Sequence, residues 1–346
     1  MTYKHAKWDL PQMQSLPLDV KVRMSQQRIR SWYEYFNGNV YVSISGGKDS
    51  QVLAHIVKEM YNDVPLVFVN TGLEYDSVRE KGYELADEVL KPQKSFLQIL
   101  IQYGYPIISK EVSQSIYEIK NCNDVYGKLY QKRMRRFNGE ELDKDGNKSA
   151  YNMDKYKFLL NAPFRISSKC CDYSKKLPAK KYEKQTGRKP YIGTLAEESR
   201  LRKTKWFKYG CNAFEQKRPT SQPLSFWTEQ DILQYINKYS LDIADIYGDI
   251  VYTDQYGYTY DNTFFISDML LSTTGAPRTG CIFCLFGISQ DNERLLRLKE
   301  VEPQKYDYVM RGGKFDDVGM WIPDKGLGYK FVIDWINENG NIDIKY

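Results

Sequence analysis

The stretch NVYVSISGGKDSQVLAHIV, Asn39 to Val57, constrains this chain more than any other. Val40, Val42 and Ile44 form a short β-branched run that stops at Ser45-Gly46-Gly47, after which Val52, Leu53, Ile56, Val57 and Met60 recur at helical spacing. A strand, a glycine turn and a helix are expected in that order. VPLVFVN (Val64 to Asn70) is a second, continuous apolar strand, as a parallel sheet covered on both faces requires. Strand, helix and strand imply a right-handed crossover, so the expected fold class is α/β with a parallel-sheet, Rossmann-like core.

Other segments fit this frame. RKPYIGTLA (Arg188 to Ala196) reads as a further core strand, and Leu18 to Phe36 as a helix with Val22, Ile29, Trp32 and Phe36 near one face. TEQDILQYINKYS (Thr228 to Ser240) reads as a helix capped by Thr228, with acidic residues in its first turn. SFLQILIQYG (Ser95 to Gly104) reads as a helix, with a strand as the alternative, and KEVSQSIYEI (Lys110 to Ile119) as a helix. Divided along the chain, residues 1–38 are a helical segment, 39–245 an α/β domain with a basic, aromatic insertion at 121–162, and 246–346 a C-terminal region closed by the helix FVIDWINENG.

The chain has 346 residues, 42% of them hydrophobic, enough for a full-sized core. No stretch approaches the roughly 18 apolar residues of a membrane span, and the N-terminus lacks a signal-peptide core, so a cytoplasmic protein without a membrane partner is expected. The six cysteines are too few for a disulfide scaffold. His5 and His55 are the only histidines, which argues against histidine-based zinc sites and a Ser/His/Asp triad. The net charge of +6 is concentrated in KLYQKRMRR (Lys128 to Arg136) and RLRKTKW (Arg200 to Trp206). Such patches suit polyphosphate or nucleic acid, or are solvated helix faces.

The turn Ser45-Gly46-Gly47-Lys48-Asp49-Ser50 has the makings of a phosphate cradle. Adjacent glycines let backbone N–H groups converge on an anion, and the following helix directs its positive end to the same place. The spacing is not that of a Walker loop, because the lysine follows the glycines directly.

After an apolar strand, SGGKDS resembles the PP-loop of the adenine nucleotide alpha hydrolase-like superfamily. NTGLEYDSVRE (Asn70 to Glu80), GTLAEESRLR (Gly193 to Arg202) and QPLSFWTEQDI (Gln222 to Ile232) narrow the resemblance to the phosphoadenosine phosphosulfate (PAPS) reductase family, over about residues 39–287. The resemblance implies nucleotide contacts from Ser45, Gly46, Gly47, Lys48, Asp49 and Ser50, from Asn70, Thr71 and Gly72, and from Gly193, Glu198, Ser199 and Arg202. Lys48, Asp49 and Arg202 are the implied catalytic residues. ATP or a sulfonucleotide is the implied ligand, with Asp49 helping to hold Mg²⁺.

The cysteines form a vicinal pair, Cys170-Cys171, and a C-x-x-C, Cys281 to Cys284. Four thiolates can close a zinc site or hold a four-iron four-sulfur (4Fe-4S) cluster. Adjacent cysteines favour the cluster, which offers a separate iron corner to each. The arrangement resembles the cluster-binding adenylyl sulfate reductases of the family. Cys122 and Cys211 stand outside it.

Two departures bear on the reaction. In sulfonucleotide reductases a C-terminal tail cysteine attacks sulfur, whereas nothing after Cys284 here is a cysteine, and Leu195 stands where reductases carry an arginine. The first expectation is therefore an ATP pyrophosphatase-type enzyme that adenylylates an acceptor for sulfur transfer, similar to relatives in DNA phosphorothioation and transfer RNA thiolation. A DNA or RNA acceptor and a thiol or sulfur donor protein are the implied partners. The alternatives are a sulfonucleotide reductase that uses Cys122, Cys211 or an external thiol, and a non-catalytic nucleotide-binding regulator.

Overall fold

The computed structural model describes residues 4–254, 256–260, 269–288 and 291–346. Its chain forms two compact units, each built from two segments: unit 1 from 1–91 and 178–280, unit 2 from 92–177 and 281–346. The division differs from the linear one expected from sequence. The N-terminal helix Leu18–Tyr35 belongs to unit 1, and the segment 121–162 is an integral part of unit 2.

Unit 1 is organised by a six-stranded sheet of β1 (Val40–Ile44), β2 (Leu66–Val69), β3 (Glu88–Leu90), β4 (Lys189–Ile192), β5 (Asn212–Ala213) and β6 (Thr220–Ser221). The spatial order is β3-β2-β1-β4-β6-β5; every pairing is parallel except β5 with β6. Val40 and Val42 of β1 are fully buried, which explains why the strand reads as an apolar run. The chain builds outward on one side of β1 through β2 and β3, then returns to the other side as β4. That reversal makes the carboxyl ends of β1 and β4 a topological switch point, the place where open α/β sheets form a crevice for ligands.

Helices cover the sheet. Lys48–Met60 buries Val52, Leu53, Ile56 and Val57, and Leu18–Tyr35 buries Val22, Ile29 and Trp32, with Phe36 packed edge-on to Trp32 at 4.7 Å. Thr228 caps Glu229–Tyr239 through a reciprocal box with Asp231. The Asp231 carboxylate also takes both of its oxygens to Lys21 Nζ at 2.7 Å, an ion pair buried in the core. A second, antiparallel sheet in unit 1 has the order β8-β7-β9, from β7 (Ile250–Thr253), β8 (Thr259–Tyr260) and β9 (Leu270–Thr273).

Unit 2 is mainly helical among its described residues. Ser95 begins the helix Phe96–Tyr103 with a capping box, settling the helix-or-strand alternative for that segment. Helix Lys110–Lys120 pairs with Lys128–Asn138, and the C-terminal helix Tyr329–Gly340 buries Tyr329, Val332, Ile333 and Ile336. An aromatic chain ties these parts together, with Tyr329 lying 5.2 Å from Tyr105 and 5.7 Å from Phe283. No described helix is long and apolar enough to cross a membrane.

Candidate functional site

The SGGKDS turn leaves the carboxyl end of β1 and enters the helix Lys48–Met60. Gly46 has φ +73°, and a Cβ on it would stand 1.9 Å from the carbonyl oxygen of Val78, so only glycine fits. Both serine hydroxyls bond within the loop, Ser50 buried and Ser45 exposed. Ser50 Oγ accepts from Ser45 N at 3.1 Å and donates to Gly47 O at 2.8 Å, while Ser45 Oγ accepts from Gly47 N at 3.3 Å. These bonds fix the curvature of the loop.

The three loops expected to meet do leave the carboxyl ends of neighbouring strands: 45–50 after β1, 70–72 after β2 and 193–202 after β4. A Cβ on Gly193 would lie 2.9 Å from Asp49 O, so the loops after β1 and β4 approach backbone to backbone. In the β2 loop, Asn70 accepts from Gly72 N at 2.9 Å and donates to Tyr83 at 2.5 Å, and Thr71 donates to Glu74 at 2.5 Å. In the β4 loop, Ser199 caps helix Arg200–Tyr209, and Glu198 accepts from the amide of Leu195 at 2.9 Å.

Cations gather at this switch point. Lys48 Nζ reaches Glu229 at 2.8 Å, Asp49 at 3.7 Å and the carbonyl of Pro277 at 3.2 Å. Burial works against its ammonium, but Asp49, Tyr247 and Glu229 outweigh that and hold its pKa above the ordinary lysine value. Glu198 pairs with both Arg202 and Arg278, the latter at 3.0 Å. Burial lowers the pKa of Arg202 and the nearby Arg278 lowers it further, so two guanidiniums share one carboxylate. Paired guanidiniums beside a helix start suit a polyanion.

Sequence reasoning missed Arg278, Glu229 and Tyr247. Glu229 reads as a helix-dipole acid, and nothing local marks Arg278 or Tyr247. Tyr247 accepts a hydrogen bond from Lys48 N at 3.3 Å.

All four predicted ligand cysteines lie in unit 2. Cys170 and Cys171 occupy a helical turn, with their sulfurs 4.0 Å apart, and Cys284 N donates to Cys281 O at 3.1 Å. Their charges interact: Cys281 and Cys284 both act on Cys170. The hydrogen bond from Cys170 lowers the pKa of Cys171 below the ordinary thiol value, aided by Lys110, Lys175 and Lys176, while burial pushes Cys284 up to about 12. Among the described residues no three His, Cys, Asp or Glu side chains converge as they would on one metal ion. Lys110, Lys175 and Lys176 give Cys171 a cationic setting that favours the thiolate.

The basic run at 128–136 is less open than its sequence suggests. Arg133 pairs with Glu118 at 2.6 Å and Arg136 with Glu111 at 2.9 Å, leaving Lys128, Lys132 and Arg135 exposed. Cys211 is buried and accepts from Ser225 at 3.4 Å, and Cys122 is half-buried beside Asp124. His55 bonds Tyr235 at 2.9 Å, a packing role.

Residues 39–126 match the family model of the phosphoadenosine phosphosulfate reductase domain. The matched segment begins at β1 and includes the SGGKDS and Asn70-Thr71-Gly72 loops. An uncharacterized protein of Methanocaldococcus jannaschii is 31% identical over 113 residues, which is 30% of this chain and 27% of that protein. The chain thus spans about a quarter of that relative's length. The crystal structure of phosphoadenylyl-sulfate (PAPS) reductase from Candida auris, a phosphate complex, aligns with a TM-score of 0.36 at 13% identity, covering 71% of this chain and 92% of that one.

Proposed function

We propose that unit 1 binds an adenine nucleotide with its phosphates at the SGGKDS turn, and that the chain is an ATP pyrophosphatase-type enzyme. The observation that carries this reading is the gathering of Lys48, Arg202 and Arg278 at the carboxyl ends of β1 and β4, where the glycine turn meets the helix Lys48–Met60. The match of residues 39–126 to the PAPS reductase domain supports it.

In this reading the acceptor attacks the α-phosphorus of ATP, the bond to the bridging oxygen breaks, and pyrophosphate leaves with its negative charge held by protein. Lys48 and the amides at the helix start neutralise the departing phosphates, and Arg202 with Arg278 steadies the α-phosphate. Asp49 would hold Mg²⁺. Glu198 keeps the two guanidiniums in register until the anion arrives. Cys170, Cys171, Cys281 and Cys284 would hold a 4Fe-4S cluster, which supplies redox capacity or a fixed anchor when bound. Lys110, Lys175 and Lys176 would offset its negative charge. A nucleic acid acceptor would meet the exposed Lys128 and Lys132, and a thiol or sulfur donor protein would complete the transfer.

The second reading, reduction of adenylyl sulfate or PAPS to sulfite, is favoured by the description of the matched family. Purified protein assayed with ATP and with each sulfonucleotide separates them. Pyrophosphate without sulfite is expected; sulfite release would replace the first reading by the second. Nucleotide binding with neither product would make the protein a regulator. Lys48→Ala is expected to weaken nucleotide binding about tenfold or more, since charge-assisted contacts to phosphate are lost. Unchanged affinity would remove the turn from the site.

A further inference from the structure

The face of the SGGKDS turn that an anion would approach is covered by protein hydroxyls. The amide of Lys48 donates to Tyr247 Oη, which lies 2.8 Å from Thr279 Oγ1. A Cβ on Gly47 would stand 3.2 Å from the first hydroxyl and 3.4 Å from the second. Lys48 Nζ lies 5.2 Å from the Tyr247 ring centre and bonds Pro277 O, so the lysine is only 3% exposed.

These contacts come from one folded device. Tyr247 ends a short turn, Asp245–Tyr247, that leads into β7; residues 274–276 follow β9 and bond back onto it. Gly275 N donates to Tyr247 O at 2.9 Å and Ala276 N to Ile246 O at 2.8 Å. Pro277, Arg278 and Thr279 come next, so the strap that bonds Lys48 also carries Arg278.

We propose that residues 274–279, together with Tyr247, form a strap that occupies the phosphate seat of unit 1 and must shift for a nucleotide to bind. The inference rests on the nucleotide reading above and adds to it a competition for the Lys48 amide. A neutral phenol is a weaker acceptor than a phosphate oxygen, so the anion wins the amide. Burial holds the Tyr247 phenol neutral. When the strap moves, Lys48 Nζ exchanges Pro277 O for a phosphate oxygen, and Arg278, carried with the strap, is free to follow the anion, which links opening of the empty seat to assembly of the filled one.

The test compares the full chain with Tyr247→Phe, which keeps the ring and removes the hydroxyl, and with Thr279→Val. ATP affinity is read by calorimetry, and amide hydrogen exchange of Lys48 is read without nucleotide. Both variants are expected to bind ATP more tightly, Tyr247→Phe by about fivefold, the scale of one neutral hydrogen bond. Lys48 is expected to exchange about fivefold faster in Tyr247→Phe. Unchanged or weaker ATP binding in both variants, with wild-type binding intact, would overturn the strap and make the hydroxyls ordinary phosphate contacts. ATP bound by neither wild type nor variants would overturn the nucleotide reading itself, a result distinguishable because wild type fails as well.

Discussion

The glycine turn of unit 1 and the four cysteines of unit 2 are both candidate centres, yet they are assembled in different ways. The turn is nearly complete within six consecutive residues, because a strand end, two glycines and a helix start are held together by the backbone itself. The cysteine set joins residues 170–171 to 281–284, and only the packing of unit 2 brings those segments together. A site written locally tolerates change around it but not within it. A site assembled from distant segments depends on every ligand and on the scaffold between them.

The sharpest way to break this comparison is at the cysteines. Cys281→Ser is expected to take iron and acid-labile sulfide in anaerobically prepared protein from about four per chain to near zero, whereas Cys122→Ser leaves both unchanged. Colourless wild-type protein containing a single zinc would reverse the assignment.

Next in size is the support beneath the turn. Lys21→Ala strands the Asp231 carboxylate in the core and is expected to cost about 3–5 kcal/mol in chemical denaturation. Lys21→Met with Asp231→Leu should recover part of that loss, because neither charge is then left buried, less what the Thr228–Asp231 capping box contributes. Gly46→Ala is expected to cost at least ~3 kcal/mol, through a positive φ and collision with the Val78 carbonyl. If its melting matched wild type, the turn would not be the rigid element described.

The smallest effect belongs to the basic helix of unit 2. Arg133→Gln breaks the pair with Glu118 and is expected to cost about 1 kcal/mol or less, with no loss of nucleic acid binding. Lys128→Glu with Lys132→Glu should instead lower affinity for single-stranded nucleic acid and flatten its salt dependence. Equal affinity in all three proteins would remove this helix from any acceptor surface.

Much of the sheet was legible because burial on both faces leaves a mark. Val40 to Ile44, Val64 to Asn70 and Arg188 to Ala196 read as strands and contain β1, β2 and β4. Thr228 and the acids after it announce a capped helix, and that helix begins at Glu229. The two-segment make-up of each unit was not legible, since sequence adjacency carries no record of which distant segment closes a core. Arg133 illustrates the same limit: a basic run looks like a free surface until its acidic partners are located.

By itself the sequence determined the α/β class, the strand–turn–helix order around SGGKDS and the vicinal and C-x-x-C spacing of four cysteines, because each depends on local backbone geometry or on residue chemistry. Tertiary structure alone decided that Glu229 and Pro277 hold Lys48, that Arg278 joins Arg202 on Glu198, and that Tyr247 sits on the amide of the loop lysine. These contacts join residues far apart along the chain, and their partners are chosen by the order of strands in the sheet and the fold of the strap. No local pattern encodes them.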